Sequence, residues 1–194
     1  MTTPAVVPEK LSARERLLAA AQELFYEEGI HTVGIERVIE RAGVAKASLY
    51  NTFGSKDELI RAYLESKQAK RRAGLTAKLE SLATPRDKIL GVFEFQGESA
   101  AQPDFRGCAF VRASAEQQGI AGVKDICDAS REWLRGLFQE LATDAGAGDP
   151  AALTRQLVLL YDGAAVSSQM DGTCGAAKAD RAAAIQLLDA AGAR

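Results

Sequence analysis

The chain has 194 residues, a formal charge of −2 at pH 7 and 47% hydrophobic residues. These values fit one sizeable domain or two small ones and exclude a wholly disordered protein. No apolar run approaches the roughly 20 residues that span a bilayer, and residues 1–10 lack the apolar stretch of a secretory signal. The sequence therefore predicts a cytoplasmic protein with no membrane partner.

Few residues suited to catalysis or metal binding are present. The chain has one histidine, His31, and three cysteines, Cys108, Cys127 and Cys174. An odd number of cysteines forms no complete disulfide framework and is typical of a reducing compartment. Phosphate-binding loops, dinucleotide fingerprints and zinc motifs are also missing from the sequence. We therefore predict no catalytic residue, no metal site and no cofactor.

The first part of the chain predicts four helices. Ser12 and Glu15 have the spacing of a capping box, which opens the first helix. Gly43 is suited to end the second helix, because glycine readily takes the conformation of a tight turn. The start and stop residues place these helices, in order, at Ser12 to Gly29, Ile35 to Gly43, about Ala45 to Thr52, and Ser55 to about Leu82.

The remaining sequence predicts about five further helices. Thr84 and Pro85 suit an N-cap followed by proline at the first helical position. Beyond them, apolar residues recur with helical spacing, and glycine-bearing loops near residues 146–149 and 171–179 separate the last three helices. The pattern predicts an all-α fold of about nine helices, in two regions that share the fourth helix.

Residues 29–59 carry the most informative chemistry. Two short helices meet at Gly43, and the outer face of the second one offers a cation, small residues, a hydroxyl, a phenol and an amide. Such a face suits the major groove of DNA, because small side chains allow close approach while polar ones reach phosphates and base edges. The residues predicted to contact DNA are Lys46, Ala47, Ser48, Tyr50 and Asn51, with Lys56 on a backbone phosphate.

The run from Gly43 to Leu59, GVAKASLYNTFGSKDEL, closely resembles the DNA-binding signature of the tetracycline-repressor (TetR) family. Residues 20–25 and Gly29 resemble the first helix of that family. The resemblance implies a homodimeric regulator, in most cases a repressor, with an N-terminal helix-turn-helix domain and a C-terminal helical domain that dimerises and binds an inducer. Two positions depart from the family pattern: Gly34 stands where Ser or Thr often caps the second helix, and Asn51 stands where His is frequent.

Three segments follow from the residues and the resemblance together. We expect a flexible tail at 1–10, a DNA-binding domain at 11–72 and a ligand-binding and dimerisation domain at 73–194. The expected partners are a pseudo-palindromic double-stranded DNA operator, an unknown small-molecule inducer and a second copy of the chain. Charge alone would not indicate DNA binding, since residues 1–72 carry a net charge of +2 and residues 73–194 one of −4.

The C-terminal region is rich in large apolar side chains that could line a ligand cavity. The predicted ligand-binding residues are Phe93, Phe110, Cys108, Trp133, Phe138, Tyr161 and Met170. Helical spacing equally permits most of them to be ordinary core residues. Small residues at 164–168 and 182–184 allow close approach of helices, and the family resemblance implies that these helices form the dimer interface. Packing inside one chain is the alternative.

Several alternatives remain open at this point. Cys108 and Cys127 lie on different predicted helices and could form an oxidation switch, or both could be unreactive buried thiols. A helical enzyme that binds a small molecule is a second class of function, although no catalytic motif supports it. A third is a helical interaction module that has lost DNA binding, which salt-insensitive behaviour towards duplex DNA would favour.

Overall fold

A computed structural model of the chain describes residues 11–116, 120, 122–171 and 175–194. The predicted tail at 1–10 and Cys174 lie outside these residues. The described part contains helices and no strand, which confirms the all-α prediction. Its nine helices are α1 (Ala13–Glu28), α2 (Ile35–Ala42), α3 (Lys46–Phe53), α4 (Lys56–Glu80), α5 (Pro85–Ala100), α6 (Ala109–Glu116), α7 (Val123–Asp144), α8 (Pro150–Asp171) and α9 (Gly175–Ala190).

Local sequence signals determine where two of these helices begin. The hydroxyl of Ser12 accepts a hydrogen bond from the Glu15 backbone N–H at 3.2 Å, and the Glu15 carboxylate accepts one from the Ser12 N–H at 2.8 Å. This reciprocal pair confirms the predicted capping box. At α5, Thr84 Oγ1 accepts from the Asp87 N–H at 3.0 Å and Pro85 is the first helical residue.

The chain divides into two compact units, one ending at Tyr63 and the other beginning at Leu64. In the first unit, α1, α2 and α3 pack against one another. Leu17, Val38 and Leu49 have no exposed surface, and the ring of Phe25 meets Tyr63 edge-on with 5.7 Å between ring centres. Burying each of these side chains contributes about 1.5–3 kcal/mol, so a small helical core fixes the α2–α3 geometry.

The second unit has a larger core, contributed mainly by α5, α7, α8 and α9. Phe93 and Phe138 are fully buried there. A buried polar group also joins two helices, because Gln96 Nε2 donates a hydrogen bond to the Tyr161 carbonyl at 2.8 Å. None of the helices in the described ranges is long and apolar enough to cross a membrane.

The last residues of the chain are bonded into the second unit. The Arg194 backbone N–H donates to the Ala145 carbonyl at 2.8 Å, just after α7. Arg86, on the first turn of α5, donates to the Ala193 carbonyl at 2.9 Å and to Asp189 at 2.6 Å. Ala193 is only 3% exposed. The segment after α9 is therefore part of the packed structure.

Candidate nucleic-acid interface and ligand site

The turn between α2 and α3 has the conformation that Gly43 was predicted to supply. Gly43 adopts φ +62° and ψ +43°, a left-handed conformation that other residues rarely take. The Val44 N–H donates back to the Ile39 carbonyl at 3.4 Å and closes the end of α2. Arg16 of α1 donates to the Gly43 carbonyl at 2.9 Å. Both ends of this turn are thus held by hydrogen bonds within the first unit.

This turn presents one side of α3 to solvent. Leu49 is completely buried, whereas Tyr50 keeps 46% of its surface exposed. Tyr50 is therefore not a core aromatic residue of the single chain. Of the residues predicted to contact DNA, Lys46, Ala47, Tyr50 and Asn51 are exposed, and Ser48 and Lys56 are half-buried.

Lys56 occupies a different position from the other five residues, because it is the first residue of α4. Ser55, just before it, accepts a hydrogen bond from the Glu58 N–H at 3.1 Å, as the predicted cap requires. The start of a helix carries a partial positive charge that attracts phosphate. Phe53, at the end of α3, lies beneath the Arg14 guanidinium, whose carbon is 4.9 Å from the ring centre.

The cation on the α3 face has a neighbouring carboxylate. Lys46 Nζ lies 2.6 Å from Glu36 Oε1, and both side chains are more than half exposed. The hydrogen bond to Glu36 raises the pKa of Lys46, so the lysine stays protonated at neutral pH. An exposed ion pair of this kind contributes little free energy. Lys46 can therefore exchange Glu36 for a phosphate at small cost.

Two ion pairs between α1 and α2 were missed by the sequence reasoning. Arg41 Nη2 donates to both carboxylate oxygens of Glu23, at 2.7 and 2.9 Å, and Arg37 Nη2 donates to Glu28 at 2.9 Å. The partners are 18 and 9 residues apart, and no short motif signals such a pairing. Their forked geometry fixes the orientation of α2, and with it the position of the turn into α3.

Gly34 was identified as a departure from the family pattern, and the structure gives its consequence. It is the N-cap of α2, with φ −75° and ψ 155°, and no side chain caps the helix there. The orphan N–H groups of the first turn of α2 lack the hydroxyl that Ser or Thr would supply.

The predicted ligand-binding aromatics fall into two sets. The rings of Phe93, Phe138 and Tyr161 contact one another within the core, with centres 5.7–6.2 Å apart. Phe110 is 8% exposed and Trp133 is half-buried. Phe110, Trp133 and Tyr161 all lie close to a charged side chain, Arg71, which the sequence reasoning did not single out. Tyr161 therefore belongs to both sets.

The two described cysteines are free thiols. Cys127 is buried, and its Sγ donates to the Phe110 carbonyl at 3.6 Å. Burial raises the pKa of the Cys127 thiol, which keeps it protonated and poorly nucleophilic at neutral pH. Cys108 is half-buried. The oxidation switch stays a hypothesis, and these features of Cys127 favour the unreactive alternative.

The small residues of α8 mostly face inwards. Ala164, Ala165 and Ser168 are buried, so they pack within one chain, which was the alternative left open by the sequence. Met170, predicted as a ligand-binding residue, is 79% exposed. The reason is the helical period, because nine residues place Met170 about opposite Tyr161 on α8.

One exposed face of α8 carries apolar residues. Leu159, Gly163, Val166 and Met170 are all exposed and follow the i, i+4, i+7, i+11 spacing of one helix face. Leu159 alone is 69% exposed. We call these four residues the α8 stripe. A contiguous apolar stripe on a single chain indicates an interaction surface.

The described residues contain no group of three or more His, Cys, Asp or Glu side chains placed to hold a metal ion.

Comparison with known proteins gives a consistent result. Residues 17–63 match the family model described as bacterial regulatory proteins, tetR family. A TetR-family transcriptional regulator from Streptomyces coelicolor superposes with a TM-score of 0.88 at 35% identity, over 93% of this chain and 96% of that one.

Of two curated relatives, one is named as a transcriptional activator and the other as a transcriptional repressor. The transcriptional activator FasR of Mycolicibacterium smegmatis is 35% identical over 42% of this chain and 37% of its own length. The transcriptional repressor NemR of Escherichia coli is 31% identical over 74% of this chain and 65% of its own length. The chain thus matches about a third of FasR and slightly under two thirds of NemR.

Proposed function

Since this chain belongs to the tetracycline-repressor family of bacterial transcriptional regulators, we propose that it is a repressor released from DNA by a small-molecule inducer. DNA binding is assigned to residues 11–72, and ligand binding and dimerisation to residues 73–194. Repression is favoured over activation because the relative named as a repressor matches 74% of this chain, against 42% for the activator.

The exposed face of α3 is the single observation that carries the DNA-binding proposal. It combines a protonated cation, Lys46, with a half-exposed phenol, Tyr50, and an exposed amide, Asn51. Ala47 between them leaves room for close approach to a groove floor. In the proposed complex Lys46 and Lys56 contact phosphates, and Ser48, Tyr50 and Asn51 reach phosphates or base edges.

The α8 stripe supports the proposal of a homodimer. One eight-residue recognition helix buries too little surface for tight and selective binding, so a second half-site is needed. Pairing of two α8 stripes about a two-fold axis would remove Leu159, Val166 and Met170 from water. The operator would then be pseudo-palindromic, because each protomer contributes one α3.

The inducer would bind in the second unit, near the half-buried aromatic residues. Trp133 is half-buried and lies closest to solvent, whereas Phe110, Phe93 and Phe138 are buried. An inducer releases the operator only if it binds the non-binding arrangement of the dimer more tightly than the DNA-bound one. Inducer binding and operator binding would therefore each weaken the other.

Selection of genomic DNA fragments by the full-length purified protein tests this proposal. We expect an enriched inverted repeat whose half-site centres lie about 34–36 Å apart or at a multiple of that distance. Light scattering should give twice the mass of the 20.6-kDa chain. Failure to retain any duplex, or an affinity unchanged between 50 and 200 mM salt, would favour the interaction module instead. Substrate turnover without DNA binding would favour the enzyme.

Replacement of Glu36 by glutamine should tighten DNA binding about 3- to 5-fold. The change removes a negative charge 2.6 Å from Lys46 Nζ, so that this weak exposed ion pair no longer competes with a DNA phosphate. Fluorescence anisotropy with a labelled operator at 0.1 M salt measures the effect.

The matched control is Asp128→Asn, because Asp128 forms a similarly exposed ion pair with Lys124 in the second unit. We expect no change in operator affinity for that variant. Weaker binding by Glu36→Gln would mean that Glu36 holds Lys46 in the position that DNA requires.

A further inference from the structure

A positively charged side chain lies among aromatic rings in the second unit. The guanidinium carbon of Arg71, on α4, is 5.3 Å from the ring centre of Trp133, 5.7 Å from that of Tyr161 and 5.8 Å from that of Phe110. Cation–π contacts stabilise the charge through the ring faces. The ring faces supply no oxygen acceptor, and no hydrogen bond joins Arg71 to the Tyr161 hydroxyl, so the N–H groups of Arg71 still need hydrogen-bond partners.

Most of these N–H groups have no partner among the described residues. Arg71 Nε and Nη2 are buried and donate to none of them. Arg71 Nη1 is 3.5 Å from the Ser130 hydroxyl. The carboxylate next to Tyr161 in sequence, Asp162, is paired with Arg131 at 2.6 Å. Asp180, the other carboxylate whose charge acts on Tyr161, is not bonded to Arg71. A buried charge is normally paired, and no carboxylate among the described residues is bonded to Arg71.

Gln68 adds a further hydrogen-bond donor, its Nε2 group, beside Arg71. Arg71 can only donate, so Ser130 Oγ accepts from it and gives its own hydrogen to Gln68 Oε1, 2.8 Å away. This bond orients the amide so that Nε2 is its free end. Nε2 is buried and has no acceptor among the described residues. Gln68 and Arg71 are three residues apart on α4 and so share one helix face.

Tyr161 does not supply the missing negative charge. Burial raises the pKa of its phenol, and the neighbouring charge of Arg71 only partly opposes that rise. Tyr161 therefore remains neutral at pH 7. The unpaired atoms of Arg71 and Gln68 are therefore all hydrogen-bond donors, beside a positive charge that no described carboxylate pairs.

We propose that this cluster, the Arg71 site (Gln68, Arg71, Phe110, Ser130, Trp133 and Tyr161), binds a small organic monocarboxylate. The inference rests on the proposed function, since it names the chemical class of the inducer. The Nε and Nη2 edge of a guanidinium forms a fork that matches two carboxylate oxygens. Gln68 Nε2 donates to the same carboxylate, and the apolar body of the ligand lies against the aromatic rings.

Charge and exposure both fit this ligand class. One buried guanidinium balances one negative charge, which favours a monocarboxylate over the dianion of a phosphate monoester. Gln68, Arg71 and Trp133 are each half-buried, so solvent reaches the edge of the site. Phe110 and Tyr161 are buried and form its apolar floor.

Trp133 provides a direct reporter, because it is the only tryptophan in the chain. Its fluorescence is followed while phenylacetate, hexanoate, their carboxamides and phenyl phosphate are added separately, without DNA. We expect the two carboxylates to give saturable changes. The carboxamides should bind about 10- to 100-fold more weakly, because the charge-assisted bonds to Arg71 are lost. Phenyl phosphate should also bind more weakly than phenylacetate.

Two variants separate the Arg71 site from general surface charge. Arg71→Met should weaken phenylacetate binding at least about 10-fold and abolish the preference for carboxylate over carboxamide. Arg72→Met is the matched control, because the exposed Arg72 also lies over Trp133, at 5.0 Å, and loses the same charge. We expect its affinity to stay within about 2-fold of the parent. If Arg71→Met does not fold, the carboxylate and carboxamide titrations of the parent protein decide the question.

Several results would overturn the proposal: no binding of either carboxylate, equal binding of carboxamides, tightest binding of phenyl phosphate, or equal losses in the two variants. Operator affinity is measured separately. If phenylacetate binds through Arg71 and leaves operator affinity unchanged, the monocarboxylate site stands and the inducer role fails. If neither carboxylate binds and the operator is still bound selectively, the monocarboxylate assignment alone fails.

Discussion

Replacement of both Lys46 and Tyr50 by alanine should lower operator affinity by about 100-fold or more and leave the fold intact. Each group is expected to contribute about 1–3 kcal/mol through phosphate or base contacts, and a dimer carries two copies of each. Lys46 is more than half exposed and Tyr50 is 46% exposed, so their removal should change the free energy of unfolding only slightly. Gel shifts on the selected operator, with thermal unfolding in parallel, measure the two effects.

The salt dependence of operator affinity tests whether Lys46 contacts a phosphate. Loss of one phosphate-neutralising cation per protomer should reduce the slope of log affinity against log salt by about 2 for the dimer. Lys124→Ala is the control, because Lys124 is 71% exposed and ion-paired like Lys46, but lies in the second unit. Its affinity should stay within about 2-fold of the parent. An unchanged affinity in the double variant would show that α3 is not the DNA-binding surface.

Replacement of Asp180 by asparagine should stabilise the protein at neutral pH by up to about 3 kcal/mol and have little effect near pH 4. Asp180 is only 3% exposed. Its Oδ1 accepts a hydrogen bond from the Arg181 N–H at 2.5 Å, whereas Oδ2 has no partner among the described residues. Burial raises the pKa of Asp180 from 3.8 to about 6, and the Arg181 bond opposes the rise only in part.

The direction of the pH effect follows from the higher pKa in the folded state. Below pH 3.8 the carboxyl group is protonated whether or not the chain is folded, and its burial carries no charge penalty. Between pH 3.8 and about 6 the folded state keeps a proton that the unfolded chain has released, so the free energy of unfolding falls as pH rises. Above about pH 6 the folded state has also released the proton, and the free energy of unfolding falls no further. Asparagine does not titrate, so the variant lacks this pH dependence.

Urea unfolding at pH 4, 5.5 and 7.5 and at one protein concentration measures this difference. The control is Asp144→Asn, which changes an exposed carboxylate in the same unit. It should have a small effect on stability, and the same effect at all three pH values. A stability difference between Asp180→Asn and the parent that does not change with pH would contradict the account. The account would also be contradicted if the stability of Asp180→Asn, relative to the parent, fell as pH rises.

Helix boundaries were the part of the fold most accessible from sequence, because short-range chemistry determines them. The hydroxyl of Ser12 and the carboxylate of Glu15 act over three residues, and Pro85 fixes the backbone of its own turn. Gly43 is similar, since the left-handed conformation it takes is a local requirement of the turn into α3. The exposed face of α3 follows from the same helical period.

Long-range charge arrangements could not be predicted in this way. Arg41 and Glu23 are 18 residues apart, and their pairing depends on how α1 and α2 pack. Arg71 meets rings that come from α6, α7 and α8, so no spacing in the sequence signals their proximity. The sequence gives no sign that Asp180 is buried, because aspartate usually lies at the surface.

The hydrogen bonds of Ala193 and Arg194 determine what the removal of these two residues would do to the second unit. Terminal residues of most domains fray, and exopeptidases remove them without effect on the rest. Here the loss of Ala193 and Arg194 would uncover the turn after α7 and leave the Arg86 guanidinium without one acceptor. Residues 193 and 194 therefore act as an internal packing element of the second unit, and their removal should destabilise that unit.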